Sequence, residues 1–273
     1  DLQINGGLGL SFNNLSSEDL PKLNDLLDLL WEDGVEAICP TLVSSDYLKL
    51  RNSLDVLQQA RLKHCAKKCE LLGCHLEGPF ISRVNHGAHN LRFITNPSLS
   101  SLFKLINGFE DQIALVTLAP EIDGSEEVIR KLSDLGILVS LGHSSADAIC
   151  ATQAFNQGVG MVTHAFNAMP GLHHRSPGPI GAAIAHGEIA MGLIADGIHV
   201  DPIMAVILQK VSSHQLVLVS DALSAYGLDE ESFQWDGRFV TIENGTCRLA
   251  DGTLAGVISP LLLGSQKLAS WSS

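Results

Sequence analysis

Four short apolar runs in this chain each end on a side chain that can bind a metal or move a proton. The runs are 69–76 into Glu77, 137–142 into His143, 160–163 into His164 and 216–220 into Asp221. Strands that all run the same way bring their carboxyl ends to one face, so a parallel αβ arrangement would gather these four side chains at a single mouth. An antiparallel arrangement would scatter them over both ends of a sheet.

The spacing of the runs supports the parallel choice. Val-, Ile- and Leu-rich runs near 1–5, 35–39, 70–76, 113–118, 137–141, 159–163, 189–195 and 216–220 read as strands. Amphipathic stretches near 18–33, 45–63, 97–108, 124–135, 145–157, 180–186, 201–212 and 257–270 read as helices, with Ser17, Asn96, Ser144 and Asp201 as capping candidates. Eight strand–helix pairs predict an α/β fold, a (β/α)8 TIM barrel, with residues 1–273 forming one unit. The rival, an open doubly wound sheet, often carries a Gly-rich first turn, but Asn5-Gly6-Gly7-Leu8-Gly9 lacks the G-x-G-x-x-G spacing. Two connections, 78–96 and 165–179, are long enough to be functional loops on the mouth. Residues 232–253 read as a β insertion, with tight turns at Asp236-Gly237 and Asn244-Gly245.

Composition narrows the partners. A net charge of −13, from 30 acidic and 17 basic residues without a basic cluster, disfavours nucleic acid and leaves small-molecule substrates open. No apolar stretch reaches the roughly 18 residues of a membrane span, so no membrane partner is expected. The six cysteines, at 39, 65, 69, 74, 150 and 247, contain no C-x-x-C and read as reduced, buried thiols of a cytoplasmic protein.

Glu77, His143 and His164 offer one carboxylate and two imidazoles to a divalent metal, with coordination positions left over for water and substrate. A single histidine at a strand end is more often a hydrogen-bonded structural residue, but a buried cluster of such groups is costly without a metal or pairing to neutralise it. Zn, Fe, Mn and Co all accept this ligand set. Asp221 beside the ion can accept a proton from an activated water and return it to a leaving group, although an Asp in Ser220-Asp221-Ala222 also suits a turn cap. His89 and His199 fall on loops leaving strand ends, where either can polarise a carbonyl or bind an anionic oxygen. Arg175, in a Pro- and Gly-rich loop, is a phosphate contact or a solvated loop charge.

These residues sit in recognisable motifs: His75-Leu76-Glu77-Gly78-Pro79-Phe80, Gly87-Ala88-His89-Asn90, Gly142-His143-Ser144, Thr163 to Met169, Asp196-Gly197-Ile198-His199, Ser220-Asp221-Ala222 and Asp251 to Gly256. In this order they resemble the N-acetylglucosamine-6-phosphate deacetylase family of the amidohydrolase superfamily. The resemblance implies hydrolysis of an acetylated amino-sugar phosphate to acetate and the free amine. It implies Glu77, His143 and His164 as ligands of the main metal, and Asp221 as general base and acid. It places His89 at the amide and sugar side, and Asn167, the backbone of Ala168, Arg175 and His199 at the phosphate or hydroxyls. Gln3, in Gln3-Ile4-Asn5, stands where many amidohydrolases carry H-x-H, so a second ion would bind there more weakly. It further implies a homodimer and a small β-sandwich built from both chain ends, most or all of which this sequence lacks. Val257 stands where the family usually has a small hydroxyl residue. Two other functions remain open: another amidohydrolase activity on a different amide or cyclic substrate, and an inactive barrel serving as a binding or assembly subunit.

Overall fold

The structure, a computed structural model, describes residues 1–63 and 67–273. Cys65 lies outside those residues, and the other five cysteines are free thiols, four buried and Cys150 partly exposed.

A short hairpin, β1 (Gly6–Gly7) and β2 (Leu10–Ser11), opens the chain. Helix α1 (Leu20–Glu32) follows, burying Leu23, Leu26, Leu27 and Leu30 along one face, as an i, i+3, i+4, i+7 pattern requires. The next two strands are each split: β3 (Ala37–Ile38) and β4 (Thr41–Val43), then, after α2 (Tyr47–Leu62), β5 (Glu70–Leu71) and β6 (Cys74–Glu77). Ala37–Ile38 pairs with Glu70–Leu71, whereas Thr41–Val43 pairs with His75–Glu77. The break between the two pairings includes Gly73, at φ 140.

Regular alternation then takes over: α3 (Leu99–Ile106), β7 (Ile113–Leu118), α4 (Ser125–Asp134), β8 (Leu138–Leu141), α5 (Ala148–Asn156), β9 (Val159–Val162), α6 (Gly178–His186), β10 (Ala190–Leu193), α7 (Pro202–Ser212) and β11 (Leu216–Leu218). The strands form one curled, seven-stranded parallel sheet in the order β11-β10-β9-β8-β7-β6-β4. Strands β6 to β10 are buried along most of their length, as strands covered on both faces must be. Beyond the two sheet edges, Ile4 makes parallel bridges to Pro40 and to Ala222. The apolar run at 1–5 therefore contributes bridge contacts in place of a full strand.

A four-stranded antiparallel sheet comes next, β12 (Ser232–Trp235), β13 (Arg238–Glu243), β14 (Thr246–Leu249) and β15 (Leu254–Val257), before α8 (Leu261–Ser272) ends the chain. Val257 lies in β15, bridged to Ala222, so the last helix starts at Leu261 and not at 257. Three capping assignments change as well. Helix α1 is preceded by a 3-10 turn capped at Ser16, α3 is capped by Ser98 and α5 by Asp147, while Asp201 caps α7 as expected. The Ser144 hydroxyl instead donates to Glu121 at 2.7 Å. Among the described residues no helix is long and apolar enough to cross a membrane.

Candidate active site

Glu77 is the last residue of β6, His143 follows β8 by two positions, His164 follows β9 by two, and Asp221 follows β11 by three. All four line one cavity of about 320 Å³, together with His89, Asn167, Ala168 and His199. Three of them turn into it through a left-handed backbone: His143 at φ 47, His164 at φ 27 and Asp221 at φ 55. Such a conformation costs a non-glycine residue about 1–2 kcal/mol, so the strain marks positions where side-chain direction outweighs local stability.

Three ligand atoms converge at the base. Glu77 Oε1 lies 3.0 Å from His143 Nε2 and 3.1 Å from His164 Nε2, and the two nitrogens are 3.1 Å apart. Atoms about 2.1 Å from a divalent ion stand roughly 3 Å apart when bound at right angles, so these spacings suit one shared cation. The tautomers point the same way. His143 Nδ1 sits 2.9 Å from the Asn85 carbonyl oxygen, an acceptor, so Nδ1–H donates and Nε2 presents a bare lone pair to the cluster. A lone pair facing a carboxylate and a second imidazole at such range is unfavourable unless a cation or a proton on His164 Nε2 lies between them.

His89 is also close, with one ligand atom each from Glu77, His89 and His143 within 4.8 Å of one another. Its hydrogen bonds assign it differently. The Ser44 backbone N–H donates to His89 Nδ1 at 3.3 Å, which puts the ring proton on Nε2, 3.9 Å from Glu77 Oε1. A protonated nitrogen cannot ligate a metal, but it can donate to a substrate oxygen. The donor chemistry therefore favours Glu77, His143 and His164 over the grouping that includes His89.

Burial alone would raise the Glu77 carboxyl, but the facing imidazoles of His143, His164 and His89 outweigh it and hold the group well below the usual carboxylate range. Asp221 moves oppositely. Burial and the neighbouring Glu77 charge push it up to about 7, against the smaller pull of His164 and of the amides of Asn5 and Gln3. Those amides also fix its orientation. Asn5 Nδ2 donates to Asp221 Oδ1 at 2.7 Å, while Gln3 Nε2 lies 3.3 Å from the same oxygen and 3.2 Å from Glu77 Oε1. An amide at position 3 thus bridges the two carboxylates where an imidazole would offer a further metal ligand.

His199 Nδ1 is 2.7 Å from Asp196 Oδ2, and Asp196 Oδ1 accepts the backbone N–H groups of Ile198 and His199 at 2.8 Å each. The pair is mostly buried and fixes the imidazole at the cavity wall. Arg175 stands apart: it is exposed, outside the lining of this cavity, with Nη1 donating to His174 Nε2 at 2.7 Å. Four contributors were not singled out by residue type alone. Asn5 and Asp196 belong to motifs that could have flagged them, whereas Asn85 and Trp235, which also line the cavity, carry no local signal.

The comparisons with known proteins identify relatives of the whole chain. No family model matches the chain. It is 39% identical over 271 residues to the N-acetylglucosamine-6-phosphate deacetylase of Bos taurus, a match covering 96% of this chain and 65% of that protein. The enzyme of the same name from Bacillus subtilis is 35% identical, covering 100% of this chain and 69% of its own length. Among solved structures, the Pasteurella multocida deacetylase superposes with a TM-score of 0.90 at 30% identity, over 100% of this chain and 70% of that one. A Mycobacterium smegmatis deacetylase mutant, solved in complex with N-acetyl-D-glucosamine-6-phosphate, gives a TM-score of 0.90 at 26% identity, again over 100% of this chain and 70% of the other. The chain thus spans about two thirds of the length of the curated relatives it matches.

Proposed function

This chain belongs to the N-acetylglucosamine-6-phosphate deacetylase family, and on that premise we propose that it hydrolyses N-acetylglucosamine 6-phosphate to glucosamine 6-phosphate and acetate. The observation that carries the proposal is the convergence of Glu77 Oε1, His143 Nε2 and His164 Nε2 within 3.0–3.1 Å of one another, in the cavity lined by Asp221. The barrel is read as a closed (β/α)8 unit of amidohydrolase type, and the bridges from Ile4 to both Pro40 and Ala222 support that closure. The antiparallel sheet at Ser232–Val257 is read as an insertion within the same unit.

Glu77, His143 and His164 would hold a divalent ion, of which Zn, Fe, Mn and Co are all compatible with the donor set. Such an ion supplies Lewis acidity, lowering the pKa of a water molecule and polarising the amide carbonyl. The remaining steps fall to the chain. Asp221 takes a proton from the attacking water as oxygen adds to the acyl carbon, then delivers it to the nitrogen as the C–N bond breaks. Burial raises the proton affinity of the Asp221 carboxyl, which suits it to both tasks. His89, with its proton on Nε2, donates to the carbonyl oxygen as charge develops there. His143 is held in its lone-pair tautomer by the Asn85 carbonyl.

Asn167, the Ala168 backbone and His199 would bind the sugar hydroxyls or phosphate, with Arg175 as a further phosphate contact from the exposed loop. Five free thiols among the described residues fit a cytoplasmic setting. Elemental analysis of the purified chain, paired with acetate release from phosphorylated and unphosphorylated N-acetylhexosamines, tests the proposal. Bound ion with no acetate released from the 6-phosphate would overturn it.

A further inference from the structure

The cavity is divided by chemistry. On the side where β4, the segment after β11 and the antiparallel sheet meet, Val43, Ala88, Trp235 and Ala255 belong to one buried apolar cluster and also line the cavity. The segments that follow β8, β9 and β10 carry the polar lining groups His143, Asn167 and His199 beside Ala168 and Ile194, while Asp221 and Thr253 border the apolar cluster in sequence. An N-acylated sugar phosphate is divided in the same way, into a short alkyl group and a polyhydroxylated, anionic body. Placing hydroxyls against Trp235 and Val43 would leave them without partners, and placing the alkyl group against Asn167 and His199 would strip those side chains of theirs, a loss of about 1–3 kcal/mol for each group.

We propose that the apolar side is the acyl pocket and that Trp235 sets the length of acyl chain the site admits. The proposal rests on the deacetylase reading. His89 fixes the hinge of the arrangement: its Nε2–H meets the carbonyl oxygen, and Ala88, its neighbour in the chain, belongs to the apolar wall. The wall cannot recede. Trp235 is 4% exposed, the Arg238 guanidinium sits 5.0 Å from the centre of its ring, and Val240 and Cys247 are fully buried in the same cluster. Close-packed side chains of this kind resist extra methylenes. An acetyl methyl therefore fits where a longer chain collides, and each methylene too many is worth about 10–200-fold in discrimination.

The test compares kcat/KM for N-acetyl-, N-propanoyl- and N-butanoyl-glucosamine 6-phosphate in the wild type, Trp235→Leu and Val43→Ala, each loaded with the same ion. The expected result is a butanoyl-to-acetyl ratio at least tenfold higher in Trp235→Leu than in the wild type, and a smaller rise in Val43→Ala. A ratio within twofold of the wild type in both variants overturns the proposal, even if absolute rates fall. Should Trp235→Leu fail to fold, the ratio in Val43→Ala decides alone, because that change removes only two methyl groups. A wild type that binds its ion yet hydrolyses none of the three removes the deacetylase reading and the acyl pocket together. A wild type that releases acetate, with unmoved ratios in the variants, removes the acyl pocket only.

Discussion

His75, on the same face of β6 as Glu77, is bonded into a column of hydroxyls, and its burial makes a specific demand on acid stability. The ring is 0% exposed. Nδ1 lies 3.1 Å from the Leu2 carbonyl oxygen, so it donates there, and Nε2 accepts from the Thr117 hydroxyl at 2.7 Å. Thr117 continues to Thr163 at 2.7 Å and Thr163 to Ser140 at 2.6 Å. Burial, more than any neighbouring charge, lowers the His75 pKa to about 4. The folded protein therefore keeps the ring neutral through a range in which the unfolded chain, with an ordinary histidine pKa of about 6.5, takes up a proton. Stability from this group is complete above about pH 6.5 and is lost as the pH falls toward about 4, at up to about 1.4 kcal/mol per unit. Between pH 7.5 and pH 5 the loss comes to about 2 kcal/mol. His75→Gln, which does not titrate, should be about 1–3 kcal/mol less stable at pH 7.5 because the hydrogen bonds at the column are disturbed. Its deficit should shrink by about 2 kcal/mol at pH 5. Urea unfolding of both proteins, stripped of metal so that ion binding does not enter, measures the gap at each pH. A gap that stays constant between pH 7.5 and 5 would refute a neutral, buried His75.

Asp221→Asn should retain its ion and lose about 10²-fold or more in turnover, because the amide can neither take nor return a proton; near-normal turnover would remove Asp221 from the chemistry. His164→Ala should lose most of its bound ion in elemental analysis, since Glu77 and His143 alone make a two-ligand site, and full stoichiometry would break the assignment. Asp196→Asn should raise KM more than it lowers kcat, because it frees the His199 ring from its 2.7 Å partner without touching the reacting groups, and equal effects on both would count against it. Arg175→Ala should weaken binding of the 6-phosphate far more than of the unphosphorylated sugar, while equal losses would exclude a phosphate contact.

The mouth was legible because it follows from two local signals, an apolar run and the polar residue that ends it, combined with the rule that parallel strands share one end. Glu77, His143, His164 and Asp221 meet those conditions, and they share one cavity. What could not be read depends on competition between distant groups. Ser144 has the side chain of a good cap, yet Glu121 takes its hydroxyl and Asp147 caps α5. Residues 70–76 look like one strand, but the partners of Glu70–Leu71 and of Cys74–Glu77 lie on either side of a break, and pairing partners are not a local property. Val257 has the hydrophobicity of a helix face, and its pairings with the distant Thr246 and Ala222 place it in a strand. Arg175 is exposed outside the lining of the cavity, a position that its residue type does not reveal.

The left-handed residues explain why the site was legible by position but not by direction. A strand that runs straight past His143, His164 or Asp221 would alternate its side chains between the two faces of the sheet, so being at the end of a strand does not by itself aim a residue inward. Each of the three instead adopts a positive φ, of 47, 27 and 55 respectively, in the absence of the glycine that usually signals such a turn. At about 1–2 kcal/mol apiece, the combined strain is a sizeable fraction of a marginally stable fold, and the surrounding barrel has to supply it. The hydrogen bonds that hold the turns are therefore part of the site. The Asp221 backbone N–H donates to the Gln3 carbonyl at 2.8 Å, the Val257 N–H donates to the Asp221 carbonyl at 3.2 Å, and the His143 carbonyl accepts from Ser82 at 2.8 Å. Through Val257 the antiparallel sheet that forms the proposed acyl wall is tied to the backbone of the proposed base, so acyl selectivity and the aim of Asp221 share a mechanical connection. Widening the wall at Trp235 leaves that tie intact, whereas a substitution at Val257 would disturb both the wall and the base.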